Sequence, residues 1–300
     1  MRLLLLGAGG QVGHVLRGAL AALGEVVCAT RGGRLVDGSA CETADFEQPG
    51  TLHALVERLA PDVVVNAAAY TAVDRAEGDR DAAFRVNAEA PAALAEACAR
   101  LGALLVHYST DYVFDGHGQR PWREDDRPSP LGVYGASKLA GEDAIRASGA
   151  RHMVFRIAWV YGVHGHNFMR TMLRLGAERD ELRVVADQVG TPTPARLVAR
   201  ATAQALRNSP RATGLWHLTA AGSTSWHGFA EAIFAGAHAR GLLPRMPAVL
   251  PIASSEYPTP ARRPAYSCLD TTRLQRDFGI VVPDWKQSLS AVLDELAGPA

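Results

Sequence analysis

Leu3-Leu4-Leu5-Leu6-Gly7-Ala8-Gly9-Gly10-Gln11-Val12-Gly13 joins a short apolar run to a G-x-x-G-x-x-G turn and to the start of an amphipathic segment, Val12–Leu23. The leucines predict a strand buried on both faces, as in a parallel sheet. Glycines at these spacings permit a tight turn, a close approach of backbone to a diphosphate, and close packing of helix on strand. The helix start adds unpaired N–H groups and the positive end of its dipole. Gly7, Gly10, Gln11, Val12 and Gly13 are therefore the expected seat of a dinucleotide. An ordinary strand-to-helix turn is the plainer alternative, and the place of the motif at the head of a βα repeat argues against it.

Working outward, valine- and leucine-rich runs alternate with segments of helical period. Val26–Ala29, Val63–Val65, Leu104–Tyr108 and Val154–Ala158 read as further buried strands, and Leu52–Leu59, Ala82–Leu101 and Ser137–Ala147 as the helices between them. The alternation predicts an α/β fold, a doubly wound Rossmann-type parallel sheet. After about Trp159 the rhythm loosens. Asn167–Leu175, Pro194–Leu206, Ser225–Ala239 and Thr271–Phe278 read as helices of a smaller, discontinuous C-terminal substrate lobe, and Pro244–Pro264, with its prolines, as an irregular loop. Residues 1–160 are expected to form the dinucleotide-binding domain, with about 178–222 returning to it through Leu182–Val185 and Leu215–Leu218. Residues 161–177 and 223–300 make up most of the other lobe.

The chain has 300 residues, 48% of them hydrophobic, enough for a large core. Lysine plus arginine and aspartate plus glutamate each number 31. That balance offers no basic excess to a polyphosphate, so no nucleic-acid partner is expected, and anions must be held by local devices. The apolar run at Leu3–Leu6 is too short for a signal peptide or a membrane span. Cys28, Cys41, Cys98 and Cys268 show no C-x-x-C spacing, which favours reduced thiols in a cytoplasmic protein.

Two further features bear on chemistry. At the end of the second strand, where an NAD site places an acidic residue against the ribose 2′-hydroxyl, stand Thr30 and Arg31. A guanidinium there pairs with a 2′-phosphate, so NADPH is favoured over NADH, with Arg34 as a second candidate. Tyr134-Gly135-Ala136-Ser137-Lys138 puts a phenol and an ammonium four residues apart on one helical face, where the cation favours the phenolate. Such a pair also arises on surface helices. Its weight comes from Ser109-Thr110-Asp111-Tyr112 just beyond the fourth strand, the end of a parallel sheet where ligands sit.

The glycine turn, the hydroxyl residue after strand four and the Y-x-x-x-K pair resemble the extended short-chain dehydrogenase/reductase family. A closer resemblance spans nearly the whole chain: Gly10–Gly13, Asn66–Asp74, Ser109–Gly116, Trp159–Gly162 and Asp187–Thr193 are similar to segments of the dTDP-4-dehydrorhamnose reductases. That resemblance implies NADPH-dependent reduction of the C4 keto group of dTDP-4-dehydro-L-rhamnose to dTDP-L-rhamnose. It implies Tyr134 as proton donor, Lys138 on the nicotinamide ribose and Thr110 on the substrate carbonyl. Asp111, Tyr112 and Trp159 would line the sugar pocket. Asp45 and Phe46 would contact the adenine, Ala69, Tyr70 and Thr71 would lie beside cofactor and substrate, and Tyr108 would flank the nicotinamide. Asn167 with Phe168, and Arg262 or Arg263, would meet the substrate diphosphate, although a capping asparagine and solvated arginines explain these residues equally well.

Some relatives bridge a dimer through magnesium on three glutamates. The matching positions here are Val15, Arg196 and Glu295, so no metal is expected, and the resemblance then implies a monomer or weak homodimer. Two other functions compete. A nucleotide-sugar epimerase or dehydratase shares the fold and the Tyr-Lys pair, but a dehydratase would carry Asp-Glu after the threonine, where this chain has Asp111-Tyr112. A non-catalytic NADP-binding subunit of the methionine adenosyltransferase type also resembles this family, and retention of Thr110, Tyr134 and Lys138 favours catalysis over it.

Overall fold

Alternate leucines of the opening strand face opposite sides of one sheet. In the computed structural model, which describes residues 1–298, Leu3 and Leu5 enter one hydrophobic cluster and Leu4 and Leu6 another, all of them fully buried. The last two residues of the 223–300 segment lie outside the described residues. Strands β1 (Arg2–Leu6), β2 (Glu25–Thr30), β3 (Glu42–Thr43), β4 (Val63–Asn66), β5 (Leu104–Thr110) and β6 (Arg151–Ile157) all pair in parallel. Helices α1 (Gln11–Ala21), α2 (Pro49–Leu59), α3 (Val73–Ala76), α4 (Arg80–Phe84), α5 (Ala90–Leu101) and α6 (Val133–Ala147) connect them.

The chain continues through β7 (Val160–Tyr161), α7 (Phe168–Glu178), β8 (Glu181–Val185), β9 (Val189–Gly190), β10 (Thr193–Pro194) and α8 (Ala195–Asn208). Then follow β11 (Gly214–His217), β12 (Thr224–Ser225), α9 (Trp226–His238), β13 (Ala248–Ile252), α10 (Thr272–Phe278) and α11 (Trp285–Ala297). The main sheet has seven strands in the order β11-β6-β5-β4-β1-β2-β3. The doubly wound parallel sheet expected from the sequence is present, with α1, α8 and α10 on one face and α2 and α5 on the other. A third cluster, built on Met169, Leu182, Phe229, Phe234, Trp285 and Leu293, is the core of the smaller lobe.

Three local expectations are corrected. Leu182–Val185 does not return to the main sheet: β8 pairs in parallel with β13, so the proline-rich stretch read as irregular holds a strand. Of the two candidate returning strands, only β11 joins, beside β6. The helix expected over Ala82–Leu101 is interrupted by a π turn, Arg85–Glu89, between α4 and α5. Pro91 explains it, because proline has no N–H to give the carbonyl of Asn87 four residues back. That carbonyl is instead met by α6, so closely that a Cβ on Gly141 would lie 2.2 Å from it.

Candidate active site

At the first turn, Gly7 has φ +74°, a conformation that disfavours a side chain, and a Cβ there would sit 2.7 Å from the Ala68 nitrogen. A Cβ on Gly13 would lie 2.0 Å from the Gly7 carbonyl, so the helix can start this close to the strand only with glycine. Gly9 and Gly10 are exposed, and no side chain caps α1, which leaves its first N–H groups facing outward. The cradle fits a dinucleotide diphosphate. Thr30 closes its own turn, its hydroxyl donating to the Arg34 carbonyl (3.0 Å) and accepting from the Arg34 N–H (3.2 Å). Arg31 extends into solvent at the same edge, 78% exposed and 3.7 Å from Glu47. Asp45 accepts the Glu47 N–H at 3.0 Å ahead of α2, and Phe46 is buried beneath.

The π turn brings Asn87 inward. Its amide accepts the Tyr70 N–H (2.9 Å) and donates to the Tyr70 carbonyl (3.0 Å) and to Ser137 Oγ (3.1 Å). One buried asparagine thus fixes the Ala69–Thr71 segment against the residue preceding Lys138. Tyr70 donates its own hydroxyl to Asp79 at 3.0 Å.

Thr110, Asp111, Tyr112, Tyr134 and Lys138 converge at the carboxyl end of β5. Gly135 is the contact point: a Cβ there would lie 2.2 Å from the Tyr112 carbonyl, so the small residue inside the Y-x-x-x-K spacing lets α6 seat on the strand end. The Tyr112 and Tyr134 rings meet edge to face at 5.7 Å. Thr110 Oγ1 donates to Asp111 Oδ1 at 3.1 Å, while Asp111 Oδ2 and Ser109 Oγ are buried without a protein partner. Burial pushes the Asp111 carboxyl up to about 6 and the Tyr134 phenol up to about 12, against the phenolate bias expected from the Lys138 spacing, with the neighbouring Thr110 hydroxyl opposing the rise. Lys138 is pulled down to about 8 by desolvation. Its nitrogen donates to the Tyr108 carbonyl at 2.6 Å and lies 3.3 Å from His107 Nε2. The ring of Tyr108 points away from the site, its hydroxyl 2.8 Å from Thr202 Oγ1, so this residue faces the cofactor side through its backbone.

Trp159 begins the crossing into the smaller lobe with φ +45°, a left-handed conformation unusual for a bulky residue. Its indole lies flat on Trp226, and a Cβ on Gly190 would come within 2.4 Å of it. Asn167 caps α7 by accepting the Arg170 N–H (3.1 Å), and its amide donates to Gln11 Oε1 (2.7 Å) and the Gly162 carbonyl (2.9 Å). Its side chain is therefore occupied in tying α7 to α1. Arg262 points to solvent. Arg263 turns inward, paired with Asp74 at 2.7 and 3.0 Å, and its charge acts on the Tyr112 hydroxyl.

Asn87, Trp226, His107 and Arg263's partner Asp74 were not singled out from sequence as acting here. Pro91 was the available signal for Asn87; the others depend on tertiary contacts. Among the described residues no group of three or more His, Cys, Asp or Glu is placed to hold a metal, and Arg196 lies 3.2 Å from Glu295.

The whole arrangement matches the family model described as the RmlD substrate binding domain over residues 1–297. A dTDP-4-dehydrorhamnose reductase of Burkholderia thailandensis is 48% identical over 99% of both chains. Among solved structures, a Clostridium acetobutylicum dTDP-4-dehydrorhamnose reductase superposes with TM-score 0.89 at 37% identity, covering 99% of each chain. The Bacillus anthracis dTDP-4-dehydrorhamnose reductase, in complex with NADP, gives 0.88 at 33% identity over 98% of this chain and 99% of that one.

Proposed function

Because the chain belongs to the RmlD substrate binding domain family, we propose that it reduces the C4 keto group of dTDP-4-dehydro-L-rhamnose to dTDP-L-rhamnose with NADPH. The observation that carries the reading is the junction of Thr110, Tyr134 and Lys138 at the carboxyl end of β5, beside a glycine cradle that fits the dinucleotide. Bound NADPH supplies a hydride to C4 of the sugar. Tyr134 gives its proton to the C4 oxygen, and its raised pKa keeps the phenol loaded at neutral pH. Thr110 orients that oxygen, Lys138 holds the nicotinamide ribose, and Gly7–Gly13 with Arg31 hold the diphosphate and the 2′-phosphate. Trp159, backed by Trp226, offers the sugar an apolar face. We assign the substrate side to Arg263 in place of the solvent-facing Arg262, since it turns inward and its charge acts on Tyr112.

We read the assembly as a monomer or weak homodimer, supported by Arg196 and Glu295 satisfying one another where a bridging cation would need carboxylates. A cytoplasmic setting is supported by four free cysteines, and no helix among the described residues is long and apolar enough to cross a membrane. The test follows NADPH oxidation with the dTDP-keto sugar in the unmodified enzyme and in Tyr134→Phe. The variant is expected to lose about 10²-fold or more in kcat. Absence of turnover by the unmodified enzyme, or full turnover by the variant, overturns the mechanism.

A further inference from the structure

Lys138 is buried against β5, between the Tyr108 carbonyl at 2.6 Å and His107 Nε2 at 3.3 Å. The other ring nitrogen of His107 lies 3.0 Å from Asn66 Nδ2. The Asn66 amide has one workable orientation, because its oxygen accepts the Ala68 N–H at 3.0 Å. Its NH₂ group therefore faces the imidazole, and an amide NH₂ only donates. His107 Nδ1 must then carry a lone pair, which places the proton of the neutral ring on Nε2, aimed at Lys138. An ammonium has three donors and no acceptor, so it would meet that N–H donor to donor; a neutral amine has the lone pair to receive it. An imidazolium fails at Nδ1 for the same reason, and burial holds His107 well below its ordinary range.

We propose that Asn66 and His107 preset Lys138 as a neutral amine, and that binding of the anionic dinucleotide returns a proton to it from solvent. The second half rests on reading Lys138 as a cofactor ligand. The balance is one proton taken from buffer onto the lysine nitrogen, with no other bond made or broken. The resulting ammonium, having no acceptor in His107, turns its donors to the Tyr108 carbonyl and the ribose hydroxyls. Desolvation acts in the same direction, lowering Lys138 to about 8. Glu142, one turn along α6, opposes it, but that carboxylate is already held by Arg156 of β6 at 2.9 and 2.7 Å. Tyr134 stands one turn earlier on α6, Asp111 follows β5 directly, and Asn87 of the π turn hydrogen-bonds Ser137, the residue before Lys138.

The chain has only two lysines, Lys138 and Lys286, which makes the test direct. Labelling lysine Cε with ¹³C gives two resonances, assigned with Lys286→Arg. Without cofactor, Lys138 is expected to titrate with a midpoint near 8. At a fixed pH just above that midpoint, saturating NADPH is expected to move its signal to the protonated position. Long-range ¹H–¹⁵N spectra of the unmodified protein should show His107 as the Nε2–H tautomer. In His107→Gln the side-chain oxygen is free to face an ammonium, and the Lys138 midpoint should rise. A Lys138 that stays protonated up to the ordinary lysine value of about 10.4, or a His107 carrying its proton on Nδ1, overturns the preset state, and neither measurement needs a variant of His107. NADPH that binds, seen by nicotinamide fluorescence, without protonating Lys138 overturns the proton uptake alone. NADPH that does not bind overturns the uptake together with the cofactor reading, while the titration still judges the preset state.

Discussion

The indole of Trp159 lies on that of Trp226 with ring centroids 3.5 Å apart and planes 3° from parallel. The stack holds a residue whose backbone sits in the left-handed region, and Phe168 packs against Trp226 at 4.6 Å. Trp226→Ala should therefore release Trp159 and weaken sugar-nucleotide binding. The expected result is a rise in KM for the keto sugar of about tenfold, equivalent to about 1.4 kcal/mol, with KM for NADPH nearly unchanged. Steady-state kinetics checks the split, and loss of the coupled indole signal in near-ultraviolet circular dichroism checks the stack.

Glu142 and Arg156 form a fully buried pair that fastens α6 to β6. Removing one partner strands the other charge, so Glu142→Leu or Arg156→Met alone should lower unfolding stability by about 3–5 kcal/mol. The double variant should recover most of that loss, because no orphan charge remains. Urea denaturation of the three variants measures it, and equal losses in the single and double variants would sink the account.

Asp111 has its pKa raised by burial to about 6, so between the unfolded value of about 4 and that point the folded state binds more protons than the unfolded state. Its contribution to stability is present below about pH 4 and is lost as pH rises toward about 6. Relative to Asp111→Asn, the unmodified protein should be less favoured at about pH 7 than at about pH 4, by about 2 kcal/mol. Denaturant midpoints of both proteins across this range test the sign.

Arg31 is the exposed cation at the end of β2. Arg31→Glu should weaken NADPH and relieve the bias against NADH, changing the ratio of kcat/KM values by about tenfold or more, since a charge-assisted bond is worth about 1.5–3 kcal/mol. Parallel initial-rate measurements with the two cofactors decide it. An unchanged ratio would reassign the 2′-phosphate to Arg34.

Much of this was legible because it is written locally. Four leucines followed by spaced glycines dictate a buried strand, a tight turn and a helix start, and the Tyr134–Lys138 spacing places both groups on one face wherever the helix sits. What escaped was decided by distance along the chain. β8 takes its partner from a segment more than sixty residues later, and no local pattern distinguishes that from a return to the main sheet. Trp226 meets Trp159 across the lobe seam. Arg263 rather than Arg262 turns inward because of its pairing with Asp74, a residue nearly two hundred positions earlier. His107 and Asn66 read simply as strand interior, and their meaning lies in hydrogen-bond direction, which no sequence pattern carries.

The path of the chain has a consequence for how such a molecule changes over time. After Trp159 it enters the smaller core, comes back with α8 and β11, leaves with α9, returns for α10 and leaves again with α11. No single cut separates the two halves into contiguous pieces. The part that selects the sugar cannot be transplanted as a cassette onto another nucleotide-binding sheet. New substrate preferences must arise by replacement of individual side chains along the seam, within a molecule whose halves are inherited together.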